Sequence, residues 1–186
     1  GRELYGLYEA RAALRAKGAI LAMQSQFPPA IESLIAALRV GEALGEPVDA
    51  GVLRNLTGIF ISLGEFDRAI EYADRAEKDQ RGQSPKPHER MGVLSILATA
   101  HIGAGNVDEG RRWSQEALAF GRANSLPTGA VLNNYAHLLR QEGQLAEALA
   151  VFEELASQVD PRDLPEVRAV AEKNLGETLA QLGRHA

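Results

Sequence analysis

A pattern of glycine, a polar residue and an apolar residue recurs along this chain of 186 residues at intervals of 38 to 41 residues. Three copies are regular: Gly64-Glu65-Phe66, Gly105-Asn106-Val107 and Gly143-Gln144-Leu145. One variant, Ser25-Gln26-Phe27, precedes them, and another, Gly183-Arg184-His185, follows them. Self-similarity at such a period is typical of solenoid proteins, in which each structural unit packs against its neighbours. The pattern therefore predicts an array of repeated units.

Each period contains two apolar stripes, one before the turn and one after it. The stripe before the turn in the second period has the i, i+3, i+4, i+7 spacing of one helical face: Leu53, Leu56, Thr57 and Phe60. The stripe after the turn contains small residues at helical spacing: Phe66, Ala69, Ala73 and Ala76. Gly64 lies between the stripes, where many helices end in a left-handed residue. Each period therefore predicts two antiparallel helices, helix A and helix B, which small side chains allow to approach closely.

The whole chain, residues 1–186, is predicted to form one domain, because the segments between periods are short turns that contain proline. The last period has a helix A over residues 163–182 but too few residues for a helix B. We therefore expect a fragment of a longer protein. Val167, Ala171 and Leu175 on this terminal helix would then be uncovered, and a homodimer formed through them is the competing explanation.

Small residues also recur at fixed positions of the unit. The eighth position holds Gly18, Thr57, Ala98, Ala136 and Gly176, and the twentieth holds Ala30, Ala69, Gly110 and Ala148. In this the chain resembles the tetratricopeptide repeat (TPR) family, with leucine in place of the family's usual tryptophan at the fourth position. The period exceeds the usual length of about 34 residues, as in the long-helix branch that includes kinesin light chains and bacterial peptide-sensing regulators. The resemblance implies an all-α solenoid of antiparallel helix pairs, a right-handed superhelix of about four and a half repeats.

Composition and charge exclude several functions. The chain has no cysteine, so it contains neither disulfides nor thiolate metal sites. A net charge of −5 that is spread along the sequence argues against nucleic acid or an anionic membrane as a partner. No segment has the roughly 20 apolar residues of a membrane-spanning helix, and we expect a soluble, cytoplasmic protein. The four histidines are scattered and no catalytic or phosphate-binding motif occurs, so the sequence predicts no enzyme, cofactor or metal.

The helix A side chains that do not face helix B should line a concave groove. In unit two, unit four and the terminal helix these positions are polar: Arg54, Asn55, Asn133, Asn134, His137, Arg140, Gln141, Lys173, Asn174, Glu177 and Gln181. In unit three they are Ser95, Ile96, Thr99 and Ile102. We therefore predict a groove that is apolar in its middle and polar toward its C-terminal end.

This groove is typical of a module that binds an extended peptide or a partner helix. Asn55, Asn134 and Asn174 share the sixth position, and the resemblance implies that such asparagines hold a peptide backbone. A bond between neighbouring helices is an equal alternative for these amides. Three cations are expected to pair with acidic groups of the ligand: Arg54, Arg140 and Lys173. A sensory or dimerisation segment of a larger bacterial signalling protein is the alternative function.

Several other residues are assigned to packing between helices. His101 stands at an inward-facing position, and Trp113 lies next to a packing position of helix B, so both should be buried. The remaining large side chains are expected to seal gaps between helices rather than to line a cofactor pocket: Tyr5, Tyr8, Met23 and Phe120.

Overall fold

The computed structural model describes residues 2–81, 85–158 and 165–183 of the chain. The elements of these ranges are α1 (Arg2–Met23), α2 (Phe27–Ala43), α3 (Ala50–Ser62), α4 (Phe66–Arg81), α5 (Pro87–Gly103), α6 (Val107–Ala123), α7 (Gly129–Gln141), α8 (Leu145–Ser157) and α9 (Pro165–Gln181). Helices α1 to α8 form four consecutive pairs, and α9 packs against α8. This order confirms the all-α solenoid of helix pairs. Within the described ranges, no helix is long and apolar enough to cross a membrane.

The turn inside each pair has the same backbone geometry. Gly64 and Gly143 have φ of +72° and +73°, in the left-handed region that glycine enters without a Cβ penalty. Ser25 occupies the same place in the first pair, with φ of +58°. The Glu65 N–H donates to the Phe60 carbonyl at 2.9 Å and so closes the end of α3. The recurring pattern of the sequence is therefore the hairpin turn of the repeat.

Small residues lie where the two helices of a pair cross. Ala30, Ala69 and Ala148 have no exposed surface. A Cβ added at Gly110 would lie 2.9 Å from the Ile102 side chain, so a larger residue would push the helices of unit three apart. The buried apolar residues form one continuous cluster from Ala30 to Ala148. The core thus extends along the array instead of collecting at one centre, as expected for a solenoid.

The array is curved, with the odd-numbered helices on the inner side. Helices α5 and α7 contact each other directly, and a short pair spans them, in which Asn134 Nδ2 donates to Thr99 Oγ1 at 3.0 Å. The even helices of the same units, α6 and α8, are bridged by two much longer side chains, those of Arg122 and Glu154, whose charged ends lie 2.7 Å apart. Because the even helices lie farther apart, the odd helices form the inner surface, which we call the concave face.

The packing assignments are partly confirmed. Three side chains lie within the packing as expected: His101, Trp113 and Phe120. The assignments of Tyr5, Tyr8 and Met23 are wrong, because Tyr5 is 66% and Met23 88% exposed, and Tyr8 is also exposed. Among the described helices, α2 and α3 are the ones that pack against their helix, α1, so a large part of the α1 surface is left exposed.

Candidate binding face

The concave face has an open floor in unit two. A Cβ added at Gly58 would meet no heavy atom within 4 Å, so the space above α3 is free at this point. At Gly92, near the start of the neighbouring α5, the space beside the glycine is occupied by Arg54, whose Nη1 would lie 2.8 Å from an added Cβ. Gly58 therefore leaves open space along α3, and Gly92 allows the Arg54 side chain to extend across to α5.

The asparagines predicted near the C-terminal end of the groove bond to one another. In addition to the bond from Asn134 to Thr99, Asn174 Nδ2 donates to Asn133 Oδ1 at 3.1 Å, and Asn133 Nδ2 donates to Asn134 Oδ1 at 3.4 Å. Asn174 is only 7% exposed. These bonds form a ladder across α5, α7 and α9. Asn134 and Asn174 thus make the bonds between neighbouring helices that the sequence left open as one of two roles.

Charged residues of α7 and α9 form a second bonded group beside this ladder. Arg140 Nη1 donates to Glu177 Oε2 at 2.8 Å, and this bond holds the pKa of the Glu177 carboxyl below its usual value. Arg140 Nη2 donates to His137 Nδ1 at 3.1 Å, while the His137 ring packs edge-on against Phe152 at 5.3 Å between centroids. Burial, and then the charge of Arg140, lower the pKa of His137. Lys173 Nζ lies 3.8 Å from Glu177 Oε1, so the predicted charges largely pair among themselves.

Arg54 and Asn55 in unit two have a different environment. Both side chains are partly buried, yet neither makes a hydrogen bond or an ion pair within the described part of the chain. Gln141, at the end of α7, is exposed, as is Gln181 at the end of α9. Apart from these two exposed glutamines, the predicted polar groove residues fall into two groups: a bonded set on α7 and α9, and an unbonded guanidinium and amide on α3.

The middle of the concave face is less apolar than predicted. Ile96 and Ile102 are only partly exposed because both pack against the core, and Ile102 lies over Gly110 of α6. Thr99 Oγ1 donates to the Ser95 carbonyl at 2.9 Å and also accepts the bond from the ladder. Unit three thus uses most of these side chains to hold neighbouring helices together.

Among the described residues, no group of three or more histidine, aspartate or glutamate side chains could hold a metal ion. His101 faces Asp74 of α4, and its Nδ1 lies 3.4 Å from Asn106 Nδ2. Burial lowers the pKa of His101, although the Asp74 charge opposes this shift. His101 and His137 lie in different units, and both are packed as neutral rings at neutral pH.

Comparison with proteins of known structure identifies the fold. No protein-family model and no curated protein matches the chain. BtubC (BKLC) of P. vanneervenii matches with a TM-score of 0.79 at 16% identity, over 98% of this chain and 84% of that one. The nearly identical TPR-like repeats of a kinesin light chain from P. anserina give 0.74 at 17% identity, over 92% and 86%. The chain has the TPR-like repeat fold.

MamA of AMB-1 shares this TPR-like fold with a TM-score of 0.63 at 18% identity, over 94% of this chain and 84% of that one. All three likenesses lie below 20% identity, and they extend to the fold alone. The period near 40 residues, which exceeds that of the standard TPR, is thus accommodated within a regular TPR-like array.

Gln80 is a residue of interest that was missed in reading the sequence. It lies at the end of α4, is 5% exposed, and its Oε1 has no hydrogen-bond partner among the described residues. A signal was present, because Gln80 continues the stripe of Ala73 and Ala76 at helical spacing.

Proposed function

We propose that this chain is a protein interaction module that binds an extended peptide, or a helix of a partner protein, on its concave face. The observation that carries the proposal is the pair Arg54 and Asn55, which lie beside the open floor at Gly58 and have no polar partner among the residues that the structure describes. Both side chains are partly exposed, so water bonds to them in the free protein, and a ligand with matching donors and acceptors can replace that water. An unbonded amide and guanidinium on an inner surface therefore favour a ligand that supplies both donors and acceptors.

A peptide main chain supplies such groups at every residue. The Asn55 amide can accept from a peptide N–H and donate to a peptide carbonyl, whatever the side chains of the ligand are. Arg54 adds a charged donor for an acidic group. A TPR-like solenoid also presents an extended concave surface, which suits a partner that lies along several units. Proteins of this architecture commonly act as scaffolds for other proteins, and the fold supports the same general role here.

The bonded residues of α7 and α9 contribute less to binding in this proposal. A ligand that contacted Asn174 or Arg140 would first have to break existing bonds, to Asn133 and to Glu177 respectively. The net gain from such an exchange is small. We therefore expect the ligand to contact units two and three most closely and to leave the ladder intact.

The test is to fill the open floor without disturbing the fold. Peptides are first selected from a displayed library of linear sequences, and their affinity is then measured by calorimetry. Gly58→Gln should weaken binding by about tenfold or more, because its side chain would occupy the space above α3. The melting temperature should stay the same or rise, because replacing a helical glycine that has free space around it is favourable.

Gly6→Gln is the matched control. Gly6 is also helical, and a Cβ added there would also meet no atom within 4 Å, but it lies on α1. This variant should bind the selected peptides as well as the original chain does. Selection of no peptides, or equal binding by Gly58→Gln and Gly6→Gln, would refute the proposed binding face.

A further inference from the structure

Helix α1 carries an apolar stripe along most of its length, which we call the α1 stripe. Its members recur at helical spacing and are exposed or partly exposed: Tyr5, Tyr8, Ala12, Ala16, Ala19, Ile20 and Met23. Gly18, on the opposite side of the helix, faces Leu34 of α2. An exposed apolar surface that runs along a helix, unlike a single exposed side chain, marks an interaction site.

The surface of α1 differs from the surface that other helices A offer to a preceding unit. At the seventh position of the repeat, Leu56, Leu97 and Tyr135 are buried. The Tyr135 hydroxyl accepts from Gln115 Nε2 of α6 at 3.2 Å, so this position faces helix B of the preceding unit. The seventh position of α1 is Lys17, which is exposed. A further unit packed in the same way would meet a charge where the array elsewhere buries leucine or tyrosine, so the surface of α1 suits another occupant.

The order of residues along the α1 stripe is complementary to the same stripe running in the opposite direction. In a pair with two-fold symmetry, each contact occurs twice with the two copies exchanged. Antiparallel α1 helices centred on position 14 therefore place Tyr5 opposite Met23 and Ala12 opposite Ala16. Two alanines near the centre let the helices approach closely, and at each end an aromatic ring covers a flexible thioether.

Tyr8 extends this match between large and small side chains. In the same antiparallel pair, its ring lies opposite the small Ala19 of the second copy. The Tyr8 hydroxyl donates to Glu46 Oε1 at 2.9 Å, which holds the ring at the edge of the α1 stripe. A ring that is already held loses little side-chain freedom when two copies associate.

The charges beside the α1 stripe are also complementary in this pair. Glu9 and Lys17 flank the same side of the stripe, and neither makes an ion pair within the described ranges. In the antiparallel pair, Glu9 of one copy lies within about one helical turn of Lys17 of the other, so two ion pairs form. Arg11 and Arg15, on the other side of the stripe, already pair with carboxylates of their own chain.

We propose that the α1 stripe is a homodimer interface, in which the α1 helices of two copies pack antiparallel about position 14. The occupant is a second copy because the apolar side chains and the flanking charges both match the stripe itself. The interface lies outside α3 and α5, so it goes beyond the proposed peptide site and does not depend on it. It also differs from a homodimer formed through the terminal helix, since α9 takes no part.

Sedimentation equilibrium over a series of concentrations tests the dimer. The chain should reach twice the mass of one copy and dissociate in the micromolar range, because one helix pair is a small interface. Glu9→Lys and Lys17→Glu should each raise the dissociation constant by about tenfold or more, because attraction becomes repulsion at two symmetric places. The double variant Glu9→Lys, Lys17→Glu should restore the original value.

Matched controls carry the same changes of charge on other helices. Glu71→Lys on α4 and Arg39→Glu on α2 alter exposed residues and should leave the dissociation constant unchanged. The melting temperature of a dilute, monomeric sample should stay the same in both variants of the α1 stripe, because Glu9 and Lys17 are exposed and have no ion-pair partner within the described ranges.

Disulfide cross-linking tests the antiparallel register. The chain has no cysteine, so a single introduced cysteine reports one position. Chains with Ala12→Cys and Ala16→Cys, one of them with a size tag, are mixed in a glutathione redox buffer. The mixed disulfide should exceed the disulfides between identical chains by about tenfold, because position 12 faces position 16. Ala10→Cys, which is exposed but lies off the stripe, should form little disulfide with either variant.

A chain that stays monomeric up to about 1 mM overturns the proposal. So does a dimer whose dissociation constant neither charge reversal changes, and so does equal cross-linking of Ala12→Cys with itself and with Ala16→Cys. Species larger than a dimer overturn it too, because contacts between two different surfaces extend into open chains. Gly58→Gln should leave the dimer intact, and a monomeric chain that still binds the selected peptides would refute the interface alone.

Discussion

Residues of the same type at the same repeat position differ here in what they contact. Asn55 and Asn134 both occupy the sixth position of helix A. Asn134 donates to Thr99 of the preceding unit, but Asn55 has no polar partner within the described ranges. The difference arises from the facing residue, since α5 has the Thr99 hydroxyl where the same repeat position of α1 holds Ala19. A position in a repeat therefore predicts orientation, while the neighbouring unit determines the role.

This contrast predicts opposite effects of one substitution at two equivalent positions. Asn55→Ala should stabilise the fold by about 0.5 kcal/mol, because alanine is the better helix former and no bond is lost. Asn134→Ala gains the same propensity but loses its bond to Thr99, so it should be less stable than Asn55→Ala by about 1 kcal/mol. Urea denaturation of both variants provides the measurement. Equal free energies of unfolding would show that the ladder contributes nothing to stability.

The buried histidines predict a dependence of stability on pH. Burial lowers the pKa of His101 and of His137, so the unfolded chain binds protons at a higher pH than the native chain does. The free energy of unfolding should therefore fall as the pH is lowered from about 8 through the ordinary imidazole range near 6.5. Burial raises the pKa of Asp74, so this carboxyl makes the free energy of unfolding rise as the pH is lowered. Its effect falls in the more acidic range in which carboxyl groups titrate.

The double variant His101→Gln, His137→Gln should flatten this dependence, whereas substitution of the exposed His88 by glutamine should not. Urea denaturation at a series of pH values measures the slope for each chain. An unchanged slope in the double variant would mean that other groups cause the pH dependence.

At the scale of elements, the turn inside each helix pair was the most predictable feature. A left-handed residue after helix A follows from glycine itself, and the structure has this geometry at Gly64, Gly105 and Gly143. Ser25 shows that the turn is also imposed by packing, since serine adopts the same φ there at a cost. The packing stripes followed from periodicity, because one face of each helix must be buried.

A reciprocal exchange at two of these turns tests that interpretation. Gly64→Ser should destabilise the fold by about 1 kcal/mol, because serine is strained at a φ of +72°. Ser25→Gly should be neutral or stabilising, because glycine removes the strain at a φ of +58°. The greater freedom of glycine in the unfolded chain offsets part of this gain in stability. Guanidinium denaturation of both variants is the check. Similar losses of stability at the two sites would contradict a common turn geometry.

Side-chain partners were less predictable than the elements that carry them. Arg140 and Glu177 lie on different helices, 37 residues apart, and their bond depends on the exact stagger of α7 and α9. The burial of the unsatisfied Gln80 oxygen depends on how neighbouring helices meet, which no local pattern reports. Which polar groups of the concave face have no partner within the described ranges could therefore not be predicted from the sequence.

At the scale of the whole molecule, the curvature separates two kinds of surface. At one end of the inner surface, short side chains bond between units. In unit two, the inner surface carries polar groups that have no partner among the described residues and that lie beside open space. The outer surface is bridged by long ion pairs, such as Arg75 with Glu42 and Arg122 with Glu154. Exposed ion pairs of this kind contribute little to stability, typically below about 1 kcal/mol. Binding is therefore expected on the inner surface, where groups without partners gain most from a ligand.

The most direct test of this account is to map a selected peptide on the ¹⁵N-labelled chain by nuclear magnetic resonance. The largest shifts should fall on the amides of Arg54, Asn55 and Gly58 and on the facing residues of α5. The amides of α4 and α6 near Arg75 and Arg122 should change little. Shifts that are largest on those even-numbered helices would contradict the account, because the peptide would then bind the outer surface of the array.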